Sequence, residues 1–103
     1  MSTLCLNLRK EWFEKIESGK KTTEYREFKP FWTSRLNKTW MNFQGQDVSD
    51  VVGKIYTDVC FSLGYSYKRV LRFEIADVSL VCGKDTDLAI DLPVYAIKLG
   101  RRL

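Results

Sequence analysis

The chain has 103 residues, a net charge of +4 and no histidine. This length supports one hydrophobic core, and we predict a single domain over residues 1–103. Without histidine, Ser-His-Asp and Cys-His catalytic arrangements are excluded, so proton transfer near neutral pH would need a Lys, Glu, Asp, Tyr or Cys. No apolar run is long enough to cross a bilayer, so no membrane partner is expected.

The three cysteines, Cys5, Cys60 and Cys82, are an odd number, widely spaced and without a C-x-x-C pair. Because histidine is absent, the usual zinc sites reduce to cysteine alone, and three scattered thiols predict no metal and no cofactor. The first residues lack the pattern of a secretory signal, so secretion is not expected, and the scattered cysteines favour a reduced cytoplasmic setting. In that reducing compartment we expect buried, unreactive thiols.

The first third of the chain predicts strand, helix, strand and helix in turn. Residues 3–8 alternate between apolar and polar side chains, as in a half-buried strand. Residues 10–18 have apolar positions at helical spacing, and Gly19 follows at the position where helices commonly stop. Residues 22–27 are rich in strand formers, and Pro30 fits the first turn of a second short helix.

The remainder predicts mainly strands. We expect residues 40–43 to be extended and residues 47–56 to be helical, because valine and isoleucine recur there at helical spacing. Strands are predicted at residues 58–63, 70–81 and 94–99, the second of them with a bulge near its middle.

Residues 83–91 form an acidic connection before Pro93, and residues 101–103 form a basic tail. Together these elements predict an α+β fold: a small β-barrel of five or six mostly antiparallel strands with two or three short helices.

The excess positive charge is confined to the first third of the chain. Residues 1–38 contain nine basic and five acidic side chains, whereas the remainder contains eight of each. This distribution suits a polyanionic or phosphate-bearing ligand, and it suits a solvated helix face equally well.

The most informative segment is residues 19–26, Gly-Lys-Lys-Thr-Thr-Glu-Tyr-Arg. In a strand, Glu24 and Arg26 share one face, with Lys21 at the strand entrance. If that face is the inner one, the carboxylate and the guanidinium must satisfy each other or face a polar ligand, because an isolated buried charge is too costly. If the face is exposed, the ion pair contributes little to the stability of the fold.

Gly19, Lys21, Glu24 and Arg26 fill all four fixed positions of a G-x-K-x-x-E-x-R signature. On this motif the chain resembles the ASCH domains, which are similar to the PUA-like RNA-binding barrels. The flanking segments at both ends of the chain also resemble ASCH strands and the first ASCH helix, whereas residues 39–58 look like an insertion. The resemblance implies a PUA-like barrel that binds RNA or a nucleotide-like ligand.

We therefore predict a basic cleft at the signature. Lys21 would bind phosphate, and Arg26 would read a phosphate or a base edge while Glu24 holds it in place. Aromatic side chains near the signature or in a turn are candidates for stacking on a base, although each also suits a structural role. The predicted ligand-binding residues are Lys20, Lys21, Glu24, Arg26, Trp32 and Tyr65, with Lys29 and Arg35 adding charge at the rim.

Two alternatives remain open from the sequence. Some ASCH members are small amidohydrolases that act on acylated cytidine-type nucleosides with a Lys, a Thr and a Glu of a later strand. Lys21 and Glu74 match that pattern, but Glu24 occupies the threonine position. If the protein is an enzyme acting on a modified nucleoside or on single-stranded RNA, then Lys21, Glu24 and Glu74 are its candidate catalytic residues. The second alternative is a protein-interaction module with a vestigial cleft. The sequence makes no prediction of oligomeric state.

Overall fold

The computed structural model describes residues 2–64 and 66–103. Within them, five strands, two α-helices and one short 3₁₀ turn are formed. In chain order they are β1 (Ser2–Leu8), α1 (Lys10–Glu17), β2 (Thr23–Glu27), α2 (Pro30–Phe43), β3 (Tyr56–Leu63), β4 (Ser66–Cys82), the 3₁₀ turn (Gly83–Asp85) and β5 (Pro93–Arg102).

The strands form one curled sheet in the order β1-β3-β4-β5-β2. β1 runs parallel to β3, and the other three neighbouring pairs are antiparallel. The sheet is a half-barrel whose two edges are β1 and β2. The predicted α+β architecture, with its small and mostly antiparallel barrel, is confirmed.

The concave face of the sheet carries the core, and the two helices cover it. In β1, Leu4, Leu6 and Leu8 are buried while the intervening residues are exposed, as the alternation predicts. The buried apolar residues that form one cluster are Leu4, Leu6, Leu8, Phe13, Ile16, Leu36, Val59, Phe61, Leu71, Ile75, Val78, Tyr95 and Ile97.

The longest strand, β4, pairs with β3 along its first part and with β5 along its second. Its register against β5 shifts between Ile75 and Asp77, so the predicted bulge is present. The shift moves the buried positions from Leu71 and Ile75 to Val78. One extra residue in a strand moves the following side chains to the opposite face of the sheet. In this way β4 can bury side chains both where it pairs with β3 and where it pairs with β5.

Two predicted elements are wrong. Residues 40–43 are not extended, because α2 continues to Phe43 and buries Leu36 and Thr39 on one face. Residues 47–56 form no helix. Gly53 has φ +121°, which a helix does not permit, and Val52 is 92% exposed, so the valine spacing does not mark a buried face.

Thr39 explains the path of this segment. Its buried hydroxyl donates to the Lys54 carbonyl (3.2 Å) and accepts from the Tyr56 amide (2.9 Å). These two bonds tie the chain to α2 just before β3 begins. A buried backbone group without a partner is costly, so the hydroxyl favours an extended path over a helix.

Gly19 has φ +81°, in the left-handed region that favours glycine. It ends α1, and its amide donates to the Ile16 carbonyl (3.1 Å). The Lys21 amide then donates back to the Lys15 carbonyl (3.0 Å). The predicted helix stop is confirmed, and it places Lys21 beside the helix at the start of β2.

On the outer face, Asp58 joins three strands. It accepts hydrogen bonds from Thr3 of β1 (2.9 Å) and from Arg72 of β4 (2.6 Å). The Arg72 guanidinium is the main cause that lowers the pKa of Asp58, and burial of the carboxyl opposes it. These bonds hold the register of β1, whose carboxyl end borders the site described below.

None of the helices in residues 2–64 and 66–103 is long and apolar enough to cross a membrane.

The first prediction concerns acid stability. The pKa of Asp58 is lowered in the folded protein, so the unfolded chain binds more protons in acid. The stabilisation is fully present above the ordinary carboxyl value of 3.8 and is lost as the pH falls through the lowered folded value. Asp58→Asn should therefore flatten the acid limb of the free energy of unfolding, measured by urea denaturation between about pH 6 and pH 2. The exposed Asp50→Asn is the control, and an unchanged acid limb in Asp58→Asn would contradict the assignment.

A cleft between the two edge strands

A cleft with a volume of about 310 Å³ opens where the two edges of the sheet face each other. The end of β1 supplies one side and β2 the other, while α1 and α2 each contribute a tryptophan. The lining residues are Asn7, Leu8, Arg9, Trp12, Lys21, Glu24, Tyr25, Arg26, Glu27, Trp32, Asp87 and Leu88.

Glu24 is the centre of the cleft and is only 4% exposed. Its Oε1 pairs with Lys21 Nζ (3.0 Å) and accepts from the Tyr25 amide (3.2 Å). Its Oε2 accepts from an Arg26 guanidinium nitrogen (2.8 Å). Both oxygens are therefore engaged, and the carboxylate holds the two cations on either side of itself.

Each of these cations also lies over a tryptophan ring. Lys21 Nζ is 4.8 Å from the centre of the Trp12 ring, and the Arg26 guanidinium carbon is 4.9 Å from the centre of the Trp32 ring. Both distances are within the range of a cation–π interaction. The cleft thus contains two cation–aromatic pairs joined by one buried carboxylate.

The shared face of Glu24 and Arg26, with Lys21 at its edge, is the arrangement expected from the sequence, and the structure brings the three side chains together. Arg26 keeps one unused donor. Its Nε is buried and has no acceptor among the described residues. A buried polar nitrogen of this kind is uncommon and often marks a site that a ligand or solvent completes.

Asp87 adds a second carboxylate to Lys21, with which it forms a close ion pair. It lies in the segment between the 3₁₀ turn and β5, which is folded by its own hydrogen bonds. The Gly83 carbonyl accepts from the Thr86 hydroxyl (2.8 Å), and the Gly83 amide donates to the Leu92 carbonyl (2.8 Å). A Cβ at Gly83 would lie 2.6 Å from the Ile90 carbonyl oxygen, so only glycine fits there.

The cleft does not have the net positive charge that the sequence suggested. Three cationic side chains (Arg9, Lys21 and Arg26) and three anionic ones (Glu24, Glu27 and Asp87) line it, so the formal charges cancel. The Lys21 side chain is 10% exposed and already forms ion pairs with two carboxylates. The predicted role of Lys21 as a free phosphate-binding cation therefore does not match its surroundings.

The remaining predicted site residues divide into three groups. Trp32 lines the cleft, as expected. Lys20, Lys29 and Arg35 are exposed and outside the lining. Tyr65 lies outside the described residues.

Glu74 is not near the signature. It pairs with Arg101 (2.9 Å) at a half-exposed position on β4 and does not line the cleft. The candidate catalytic set of Lys21, Glu24 and Glu74 is therefore not assembled.

Sequence reasoning missed Trp12, Asn7 and Asp87. From the sequence, Trp12 is one of the apolar positions within residues 10–18, and Asp87 is one of the acids in the connection over residues 83–91. Lys21 and Asp87 are 66 residues apart in sequence, and no local pattern signals that they meet. The only sequence signal is the complementary charge of the acids in residues 85–91 and the basic residues within 20–26.

The expectation that the thiols are buried is wrong. Cys5 and Cys82 are exposed and Cys60 is half-buried, and all three are free. Cys5 lies on the outward face of β1, because the inward face is occupied by its leucines. Across residues 2–64 and 66–103, no group of three Cys, Asp or Glu side chains is placed to hold a metal ion.

Comparison with protein-family models and with curated proteins gave no match. The resemblance to ASCH domains therefore rests on the residues quoted above.

The second prediction tests Glu24 as the centre of the cleft. Glu24→Ala would remove the carboxylate that pairs with Arg26 and would leave Lys21 with Asp87 alone, and we expect it to lower the free energy of unfolding by about 3 kcal/mol. Glu27→Ala is the matched control, because Glu27 is on the same strand and pairs with Lys29 at a half-exposed position. The control should change stability by less than about 1 kcal/mol. Equal losses in urea denaturation of the two variants would contradict the prediction.

Proposed function

We propose that the cleft binds a base of single-stranded RNA or of a nucleotide, held against tryptophan and read by hydrogen bonds. The observation that carries this proposal is that Trp12 and Trp32, each with a cationic side chain over its ring, line one cavity of about 310 Å³. Ligand pockets for small organic molecules begin at about this size. The base is the flat and aromatic part of such a ligand.

Stacking supplies the affinity in this proposal. Single-stranded nucleic acids are commonly bound by stacking bases on aromatic rings or on arginine planes, and each stacked base contributes about 1–3 kcal/mol. Trp32 and Arg26 offer both kinds of surface, and the Arg26 guanidinium already lies over the Trp32 ring. A base entering the cleft would extend this stack.

Hydrogen bonds supply the specificity. Arg26 Nε lacks an acceptor among the described residues, and a carbonyl or ring nitrogen of a base would provide one. The Asn7 amide oxygen accepts from Ser62 (2.6 Å), so Asn7 would contribute its N–H donors. Glu24 acts through Arg26 and Lys21, whose positions it holds, because both of its oxygens are already occupied.

The charge balance of the cleft favours a neutral base over a phosphate inside it. Asp87 and Glu24 already neutralise Lys21. Phosphates of a bound strand would lie outside the cleft; Lys20 and Arg35 are exposed cations that do not line it. Each phosphate contact adds salt dependence, so a binding mode with few of them predicts a shallow dependence. Cytoplasmic location, inferred from the cysteine pattern, belongs to the same proposal.

Several observations speak against hydrolysis as the leading function. Among the described lining residues there is no Ser, Thr or Cys to act as a nucleophile, and Glu74 is elsewhere. Lys21 is held in ion pairs with two carboxylates rather than positioned as a proton acceptor. Binding without turnover is therefore the preferred function.

The third prediction tests stacking. Trp32→Leu keeps an apolar side chain but removes the aromatic face, so it should weaken binding of a single-stranded RNA or nucleotide by about 5- to 150-fold. Titration calorimetry of the purified protein measures this affinity. Trp40→Leu is the matched control, since Trp40 also packs against the core but does not line the cleft. Equal affinities of the two variants would rule out a base stacked on Trp32.

The fourth prediction separates a binder from an enzyme. Lys21→Ala should weaken binding about tenfold, because it removes a charged hydrogen-bond donor and releases Glu24 and Asp87. Lys20→Ala, one residue earlier and exposed, should leave affinity within about twofold. Neither variant nor the wild type should deacylate an acylated cytidine, followed by chromatography of the products. Robust deacylation by the wild type that Lys21→Ala abolishes would replace the binding function with the amidohydrolase alternative.

A further inference from the structure

Two of the three cysteines are direct neighbours on the outer face of the sheet. In the parallel pairing of β1 with β3, Cys5 is opposite Cys60. Neighbouring strands lie about 4.8 Å apart, and directly opposed residues project from the same face. A disulfide needs Cα atoms about 4.4–6.8 Å apart, so the backbone at this pair meets the requirement.

The register of the pair is held on both sides. Two residues before it, at the preceding pair on the same face, the Thr3 hydroxyl donates to Asp58 Oδ2 (2.9 Å). Two residues after it, at the following pair on that face, the Ser62 hydroxyl donates to Asn7 Oδ1 (2.6 Å). Because side chains touch across both of these neighbouring pairs, the cysteine side chains between them are held opposite each other as well.

The two thiols differ in their surroundings. Cys5 is exposed, whereas Cys60 is half-buried. Burial is the main cause that raises the pKa of the Cys60 thiol, and the neighbouring Cys5 adds to it. An exposed thiol reaches a dissolved disulfide more readily, so Cys5 is suited to attack first and Cys60 to resolve the product.

We propose that Cys5 and Cys60 form a reversible dithiol–disulfide pair that exchanges with low-molecular-weight disulfides such as oxidised glutathione. The Cys5 thiolate attacks one sulfur of the disulfide, forms a mixed disulfide and expels one thiolate. The Cys60 thiolate then attacks the Cys5 sulfur, closes the intramolecular disulfide and expels the second thiolate. The two protons of the cysteines pass through solvent to the two released thiols, so one disulfide is reduced as one is formed.

Cys82 provides an internal control for exposure alone. It is exposed like Cys5, but it lies at the end of β4 opposite Pro93, and no cysteine faces it in the register. Cys82 should therefore form a mixed disulfide with glutathione that is not resolved by a second thiol. The difference between Cys5 and Cys82 depends on the partner thiol and not on accessibility.

The test uses the full chain, reduced and then incubated with oxidised glutathione. On oxidation, the Cys82→Ser protein should lose two hydrogens, which lowers its mass by about 2 Da. Peptide mapping of the oxidised protein should show Cys5 linked to Cys60. Reduced glutathione in excess should reverse the change. Cys60→Ser should instead retain one glutathione on Cys5, because the resolving thiol is missing.

Two results would overturn the proposal. One is a stable glutathione adduct on Cys5 in Cys82→Ser while Cys60 remains a free thiol. The other is a linkage in the wild-type protein that joins Cys82 rather than Cys60 to Cys5. Both readouts come from Cys82→Ser and the wild type, so they hold even if Cys60→Ser folds poorly.

Discussion

The buried carboxylate of Glu24 is the interaction on which the candidate site depends. A charge that is 4% exposed is tolerated only when it is paired and hydrogen-bonded, and Glu24 meets that condition with Lys21, Arg26 and the Tyr25 amide. The same contacts place one cation over Trp12 and the other over Trp32. The electrostatic requirement of one residue thus arranges the aromatic walls of the cleft.

An open half-barrel provides the location for such a site. β1 and β2 are the edges of the sheet, and they are separated in the strand order by the three other strands. The gap between the edges is not closed by strand pairing, so side chains from the helices and from the segment after β4 line it. Asp87 closes one side of the gap, in a segment whose shape depends on Gly83. Together these elements make a cleft that is lined by charges and yet formally neutral.

Local patterns predicted the elements whose signals repeat along the chain. Alternation identified the strands, Gly19 identified the end of the first helix, and the change in alternation near Ala76 identified the bulge in β4. The failures lie at residues 40–43 and 47–56. There the outcome depends on Thr39, which binds Lys54 and Tyr56 through its side chain, and this contact has no local sequence signature.

The sequence by itself determined that Glu24 and Arg26 share a face and that Lys21 stands at its edge, because the period of a strand is two residues. Only the tertiary structure decided that Asp87 neutralises Lys21, that Glu74 is elsewhere and that Cys5 lies opposite Cys60. These three outcomes depend on which strands become neighbours and in which register. Strand pairing joins segments that are distant in the chain, so its consequences are not encoded in any local spacing of residues.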